Sequence, residues 1–241
     1  MLVRADLAGA RATGRAHDAK VNDVVLAAVA GGARALLDSR SELAADLMLR
    51  ISVAASLRGP EEKVTGGNRV GIRLVPLPVC ELGAVARLQD IAAVTTQVRA
   101  IPAYQPGGRF SQRWMARTMF RQRLVNLLLS NLSGPPAPMY FAGARVLEMF
   151  QIGLVQGNIT ASVGVLDYAG QLNFHIVADA GAIPDLQIFT EGLSDALDEL
   201  SALTHRPHPD ASNRWRPQPT QECAPPSGQR LKGNDDTGVS P

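Results

Sequence analysis

The chain has 241 residues, 46% of them hydrophobic, with 24 Lys and Arg against 22 Asp and Glu. That is ample apolar material for one large or two small cores, and the near balance of charge, without basic clusters interleaved with aromatics, argues against a nucleic-acid partner. Cys80 and Cys223 stand too far apart for a disulfide framework or a zinc site, no run of about 18 uncharged apolar residues predicts a membrane span, and Met1 to Asp6 lacks the apolar segment of a secretory signal, all of which fits a cytoplasmic protein.

Residues 5–17 are alanine-rich and helical in pattern. A stronger helix is predicted over 22–40, where Val25, Leu26, Val29, Ala33, Leu36 and Leu37 recur at helical intervals. Asn22 or Asp23 is placed to cap it, because a side-chain oxygen there accepts from the unpaired amides of the first turn. Met48 to Leu57 alternates as a strand, with Leu49, Ile51, Val53 and Ala55 on one face and Arg58-Gly59-Pro60 at its end. A polar loop carrying Gly66-Gly67 leads to a second strand from Arg69 to Leu77, closed by Pro76 and Pro78. Helices are expected at about 81–101 and 109–129, separated by Pro102, Pro106, Gly107 and Gly108. In the second of these, Arg109, Arg113, Arg117 and Arg121 fall four residues apart, with Arg123 nearby. This basic face reads as solvated, or as a contact for acidic lipid headgroups or a CoA phosphate.

The apolar run Leu124 to Leu129 feeds into polar Ser130 and Asn131, and Gly134-Pro135-Pro136 stops any helix beyond it. Ser130 to Pro138 reads as a short strand entering a Gly-Pro turn. Further strands are predicted over 145–150, 158–168 and 171–178, the last two joined by a hairpin turn at Ala169-Gly170. A final helix is expected over 184–203, with Pro184 in its first turn and Asp185 favourable to its dipole. From Thr204 onward prolines and small polar residues dominate, so 204–241 is expected to be a disordered tail and 1–203 the folded domain. Strands alternating with helices, and a late hairpin, predict an α/β fold: a mixed sheet covered by helices.

Five separated segments carry a family resemblance. They are Val21-Asn22-Asp23-Val24-Val25-Leu26-Ala27; Asn68-Arg69-Val70-Gly71 with Val75-Pro76-Leu77-Pro78; Ser130-Asn131 with Gly134-Pro135; Ala142-Gly143-Ala144-Arg145; and Val177-Ala178-Asp179 with Pro184-Asp185. In this order, over roughly residues 5–202, the chain resembles the C-terminal half of the wax ester synthase/diacylglycerol acyltransferase family. The resemblance implies the second domain of a CoA-dependent acyltransferase fold, in which two related α/β domains meet at a tunnel. It also implies a strand or loop that crosses toward the first domain. The substrates so implied are acyl-CoA, which is no resident cofactor, and diacylglycerol or a long-chain alcohol, with peripheral contact to a membrane or lipid-droplet surface. The family's catalytic His-His-x-x-x-Asp-Gly run has no counterpart here: the histidines are His17, His175, His205 and His208, none adjacent. The chain is therefore expected to be inactive alone, and either to need an N-terminal half in trans or to be an inactive fragment. The alternative is a non-catalytic module that binds acyl chains or a partner.

Acyl transfer to an alcohol needs a base, a donor for the tetrahedral oxyanion, and a tunnel that brings two apolar substrates together. No catalytic residue is assigned within this chain. Asn22 and Asp23 suffice as helix caps, and the resemblance adds a part in shaping the active site. Ser130 and Asn131 either donate to a carbonyl or thioester oxygen or satisfy their own strand end. Asn158, Thr160 and Ser162 alternate on one predicted strand face, which lines a reaction channel or faces water. His175, between Phe174 and Ile176, is expected on the side away from the core. No metal-ligand cluster, phosphate-binding glycine loop or Ser/His/Asp set can be assembled.

Overall fold

The computed structural model describes residues 1–56, 70–81, 83–103 and 124–204, together with Arg113. The elements are β1 (Leu2–Asp6), α1 (Leu7–Ala16), α2 (Val21–Ser39), β2 (Met48–Ser56), β3 (Val70–Pro78), α3 (Ala84–Ala100), β4 (Leu127–Ser133), β5 (Tyr140–Phe141), β6 (Ala144–Arg145), β7 (Ala161–Tyr168), β8 (Gln171–Ala178) and α4 (Leu186–Thr204). Six strands form one sheet in the order β1-β8-β7-β4-β2-β3. The central pairs β7–β4 and β4–β2 are parallel, and the outer pairs are antiparallel. The expected mixed sheet covered by helices is thus observed.

Alternation along the strands separates the two faces. Ile51, Val53, Val75, Leu77, Leu127, Leu129, Val163, Val165, Phe174 and Ile176 point one way and are buried in a single core with all four helices. α2 is buried along nearly its whole length from Asp23 to Ala33. Its alanines, valines and glycines let neighbours close in on several sides, and it packs most extensively on α4. That crossing is tight: a Cβ on Gly32 would lie 2.5 Å from the Phe189 carbonyl oxygen, and one on Gly192 would lie 2.5 Å from Ala35 Cβ. α4 presents Phe189, Leu193, Ala196, Leu197 and Leu200 to the core at helical spacing.

Several sequence expectations are corrected. The helix expected from residue 5 starts at Leu7: Leu2 to Asp6 pairs with β8 as an edge strand, and Asp6 then caps α1 by accepting from the Ala8 and Gly9 amides. β3 ends at Pro78 as expected, while Pro76 lies within it. β3 is an edge strand, where a proline can turn its missing N–H to the unpaired side. Leu127 to Leu129 belongs to a strand, not to the end of a helix, because the core on one side and neighbouring strands on both edges claim it. The expected strand over 145–150 reduces to Ala144–Arg145, which forms a small hairpin with β5. The strand expected from Asn158 starts at Ala161. β8 and the Ala169-Gly170 turn stand as expected, with positive φ at both turn residues. Most of the arginine-bearing segment and the expected tail beyond Thr204 lie outside the described residues. Among the described residues, no helix is long and apolar enough to cross a membrane.

Candidate functional site

Polar groups converge where the start of α2 meets the later part of β4. Asn131 lies on the helix-side phase of β4, and its side-chain nitrogen donates to Asn22 Oδ1 at 3.3 Å. Both residues are half-buried. Among the described residues this leaves Asn22 Nδ2 as a donor and Asn131 Oδ1 as an acceptor, beside the positive end of a long helix.

Neither Asn22 nor Asp23 occupies the cap position itself, which corrects the simple capping expectation. The N-cap is Lys20, and Asp23 is the third helical residue. Asp23 serves the helix end from inside, by accepting the Lys20 amide on Oδ2 at 2.9 Å. Its other oxygen, Oδ1, accepts from Thr95 Oγ1 at 2.7 Å and from Arg99 Nη1 at 3.2 Å, both on α3. The residue is 0% exposed. Burial of a carboxylate is tolerated here because a cation and two neutral donors surround it. Nothing in local sequence pattern points to Thr95 and Arg99, although their spacing of four residues places them on one face of a helix.

Ser130 is separated from this cluster. Adjacent strand residues point to opposite faces, so Asn131 looks toward the helices and Ser130 toward the sheet's outer face. There, residues 146–155 form a strap across β8, β7 and β4. Gln151 pins it. With its amide turned to satisfy both ends, Gln151 donates to the carbonyls of Ser130 at 2.9 Å and Val165 at 3.1 Å and accepts from Ser130 Oγ at 2.7 Å. Asn173, fully buried, donates to the Met149 carbonyl at 2.9 Å. Tyr168 Oη bridges the Met139 amide and the Val146 carbonyl, each at 2.8 Å. Arg4 pairs with Glu148 and lies over the Phe150 ring, 5.4 Å from its centroid. The strap passes so close to β7 that a Cβ on Gly164 would sit 2.5 Å from the Gln151 carbonyl oxygen.

Held in this way, the hairpin and strap turn their apolar side chains outward. Phe141 is 80% exposed, Ile152 and Leu154 74%, Leu147 72% and Tyr140 68%. Grouped exposed apolar side chains of this kind are unusual on a monomer's surface. Asn158 lies in an exposed turn bridged by Gln156 and Ile159, not on the β7 face. Ser162 is buried under the strap beside Gly153. His175 lies on the outer phase of β8, away from the core as expected. Burial holds its imidazole below the ordinary value of 6.5, and the amino terminus adds to this. His17 ends α1, its amide bonding to the Thr13 and Gly14 carbonyls. No group of three or more metal-ligating side chains forms among the described residues.

Residues 66–201 match the WS/DGAT C-terminal domain, that of wax ester synthases and diacylglycerol acyltransferases. The chain belongs to the WS/DGAT family. A Mycobacterium tuberculosis H37Rv protein named as the diacylglycerol O-acyltransferase tgs1 is 29% identical over 204 residues, covering 80% of this chain and 44% of its own length. A second protein of that strain, named as the diacylglycerol O-acyltransferase Rv3480c, is 30% identical over 207 residues, covering 80% of this chain and 41% of its own. The chain therefore spans less than half the length of these relatives. In structure it is similar to the wax ester synthase/diacylglycerol acyltransferase of Marinobacter aquaeolei VT8, with a TM-score of 0.67, 22% identity, and coverage of 84% of this chain and 48% of that one. The nonribosomal peptide synthetase FmoA3 shares the fold at a TM-score of 0.60 and 16% identity, covering 84% of this chain and 22% of that one. The WS/DGAT chain thus has the architecture of the second half of a CoA-dependent acyltransferase-like fold.

Proposed function

We propose that this WS/DGAT chain is the C-terminal half of an acyl-CoA-dependent O-acyltransferase that makes triacylglycerol or wax esters from diacylglycerol or a long-chain alcohol. Residues 1–203 are its folded domain. It works with an N-terminal half in trans that brings His-His-x-x-x-Asp-Gly, and it is inactive alone. The observation that carries the reading is the Asn22–Asn131 pair: two motif segments 109 residues apart meet through side chains at a helix N-terminus. Their remaining donor and acceptor form a polar spot at which the carbonyl oxygen of a thioester can be held while the other half supplies the base. The outward apolar strip on the hairpin and strap is the surface that half covers. Peripheral association with a lipid surface follows from the substrates, which partition there.

The test uses radiolabelled acyl-CoA with hexadecanol or diacylglycerol. The chain alone gives background, and the chain co-produced with the N-terminal half of a WS/DGAT relative gives ester. Asn22→Ala and Asn131→Ala then lower turnover in the complemented enzyme without lowering its melting temperature in proportion. Turnover by the chain alone that disappears in His175→Ala would overturn the proposal. So would a stable complex of the two halves that makes no ester.

A further inference from the structure

We infer that Thr95 and Arg99 are positioning residues of the Asn22–Asn131 site, acting through Asp23. This rests on the reading of that pair as a substrate contact, but the geometry of the clamp stands without it. A carboxylate that only closes a helix end is normally exposed and needs nothing from another helix. Asp23 departs from that on every count. It is fully buried, one oxygen serves its own helix, and the other is given over to α3.

The α3 side is built to hold that geometry. Arg99 Nη2 donates to Thr96 Oγ1 at 3.1 Å, which sets the plane of the guanidinium. Thr96 donates to the Ala92 carbonyl at 2.8 Å, and Thr95 Oγ1, whose one proton goes to Asp23, lies 3.1 Å from the same oxygen. Asp23 stands in the first turn of α2 and Arg99 in the last turn of α3. Each charge therefore complements the dipole of its own helix as well as its partner. Elsewhere α2 and α3 meet through apolar Leu88 and Ile91 and through Arg87, whose Nε donates to the Ala27 carbonyl at 3.1 Å one turn further along α2. The clamp on Asp23 fixes the first turn of α2, the end that carries Asn22. Asn22 precedes Asp23 directly, so a roll of α2 that freed Asp23 would swing Asn22 away from Asn131.

Side-chain amides make this visible without any turnover. The two-dimensional 1H–15N spectrum of the full chain resolves Asn NH2 groups, and hydrogen exchange reports the Lys20 amide. In Thr95→Val and Arg99→Met, the Asn22 and Asn131 side-chain signals are expected to move or broaden. Lys20 should lose about tenfold in exchange protection, as expected for a lost cap bond, while amides of β7 and β8 keep theirs. Thr95→Ser is expected to restore both signals, and Arg99→Lys to restore them in part. Unmoved Asn22 and Asn131 signals in both disruptive variants would overturn the inference. A loss of protection spread equally over β7 and β8 would also overturn it, since the clamp would then be general stability alone. Failure of the acyltransferase assay would leave these readouts untouched, so the two proposals fail separately.

Discussion

Replacing Gly164 by Ala should lift the strap from the sheet. The new methyl group would lie 2.5 Å from the Gln151 carbonyl oxygen and 3.4 Å from the Gly153 nitrogen, and both of these are backbone. β7 cannot sink to make room, because Val163 and Val165 on its other side are 0% exposed. The strap must therefore rise, which stretches the Gln151 and Asn173 bonds that hold it. Overpacking of this kind costs about 1–3 kcal/mol, and each weakened hydrogen bond adds about 1 kcal/mol. Loss of backbone freedom in the unfolded chain offsets about 0.4–1 kcal/mol. The expected net loss is about 2–4 kcal/mol, or a fall of roughly 1–2 M in the urea midpoint followed by circular dichroism. Gln151→Ala adds a sharper check. In the parent it removes the pin; beside Gly164→Ala the pin is already slack, so the two losses should sum to less than additivity. An unchanged midpoint for Gly164→Ala, or strict additivity with Gln151→Ala, would refute this account of the strap.

Gly192→Ala should push α4 off α2 and cost about 1–3 kcal/mol in thermal unfolding, despite the better helix propensity of alanine. Phe141→Asp together with Leu154→Asp should cut binding of a hydrophobic dye while leaving the melting temperature nearly unchanged, since both side chains already face outward; an unchanged dye signal would mean the apolar strip lies elsewhere. His175 has a depressed pKa when folded, so its contribution to stability is fully present above pH 6.5 and is lost as pH falls through the folded value. The melting temperature should accordingly drop between pH 7.5 and pH 5.5, and His175→Gln should flatten that drop. Asp185 is held below the usual carboxylate range by its hydrogen bonds from Arg40, so Asp185→Asn should destabilise the chain near neutrality and progressively less as pH falls below 3.8.

What the sequence made legible followed from local pattern. β2 and β8 alternate cleanly, and α2 and α4 repeat at helical spacing over five turns each. The turn at Ala169-Gly170 needs only its own residues. β1 was hidden because Leu2 to Asp6 is short, runs into an alanine-rich helix, and is a strand only by virtue of a partner far along the chain. Leu127 to Leu129 carries no period at all, so a continuous apolar run could not choose between helix and buried strand. The strap misled in the other direction. Its apolar residues suggest a strand, but side-chain bonds from Gln151, Asn173 and Tyr168 replace the ladder. The motif residues Asn22, Asp23 and Asn131 were legible one by one, and the helix-side phase of β4 brings them together. Ser130 was grouped with Asn131 because they are neighbours in sequence, which on a strand is the reason they part. Thr95 and Arg99 carry no local signal, because only tertiary packing brings them to Asp23.

The pairing of β1 with β8 has a consequence for how the chain is made. Leu2 lies opposite His175, so one edge of the sheet is assembled from residues at opposite ends of the described fold. At a synthesis rate of about 5–20 residues per second, β1 emerges from the ribosome on the order of ten seconds or more before β8, its partner among the described strands, exists. Over that interval β2 and β3 can pair, but β4 has no β7 and β1 has no neighbour. Long-range parallel pairing is slow even once the residues are present. The nascent chain therefore carries β1 unpaired and an apolar α2 uncovered until β8 and α4 have been made.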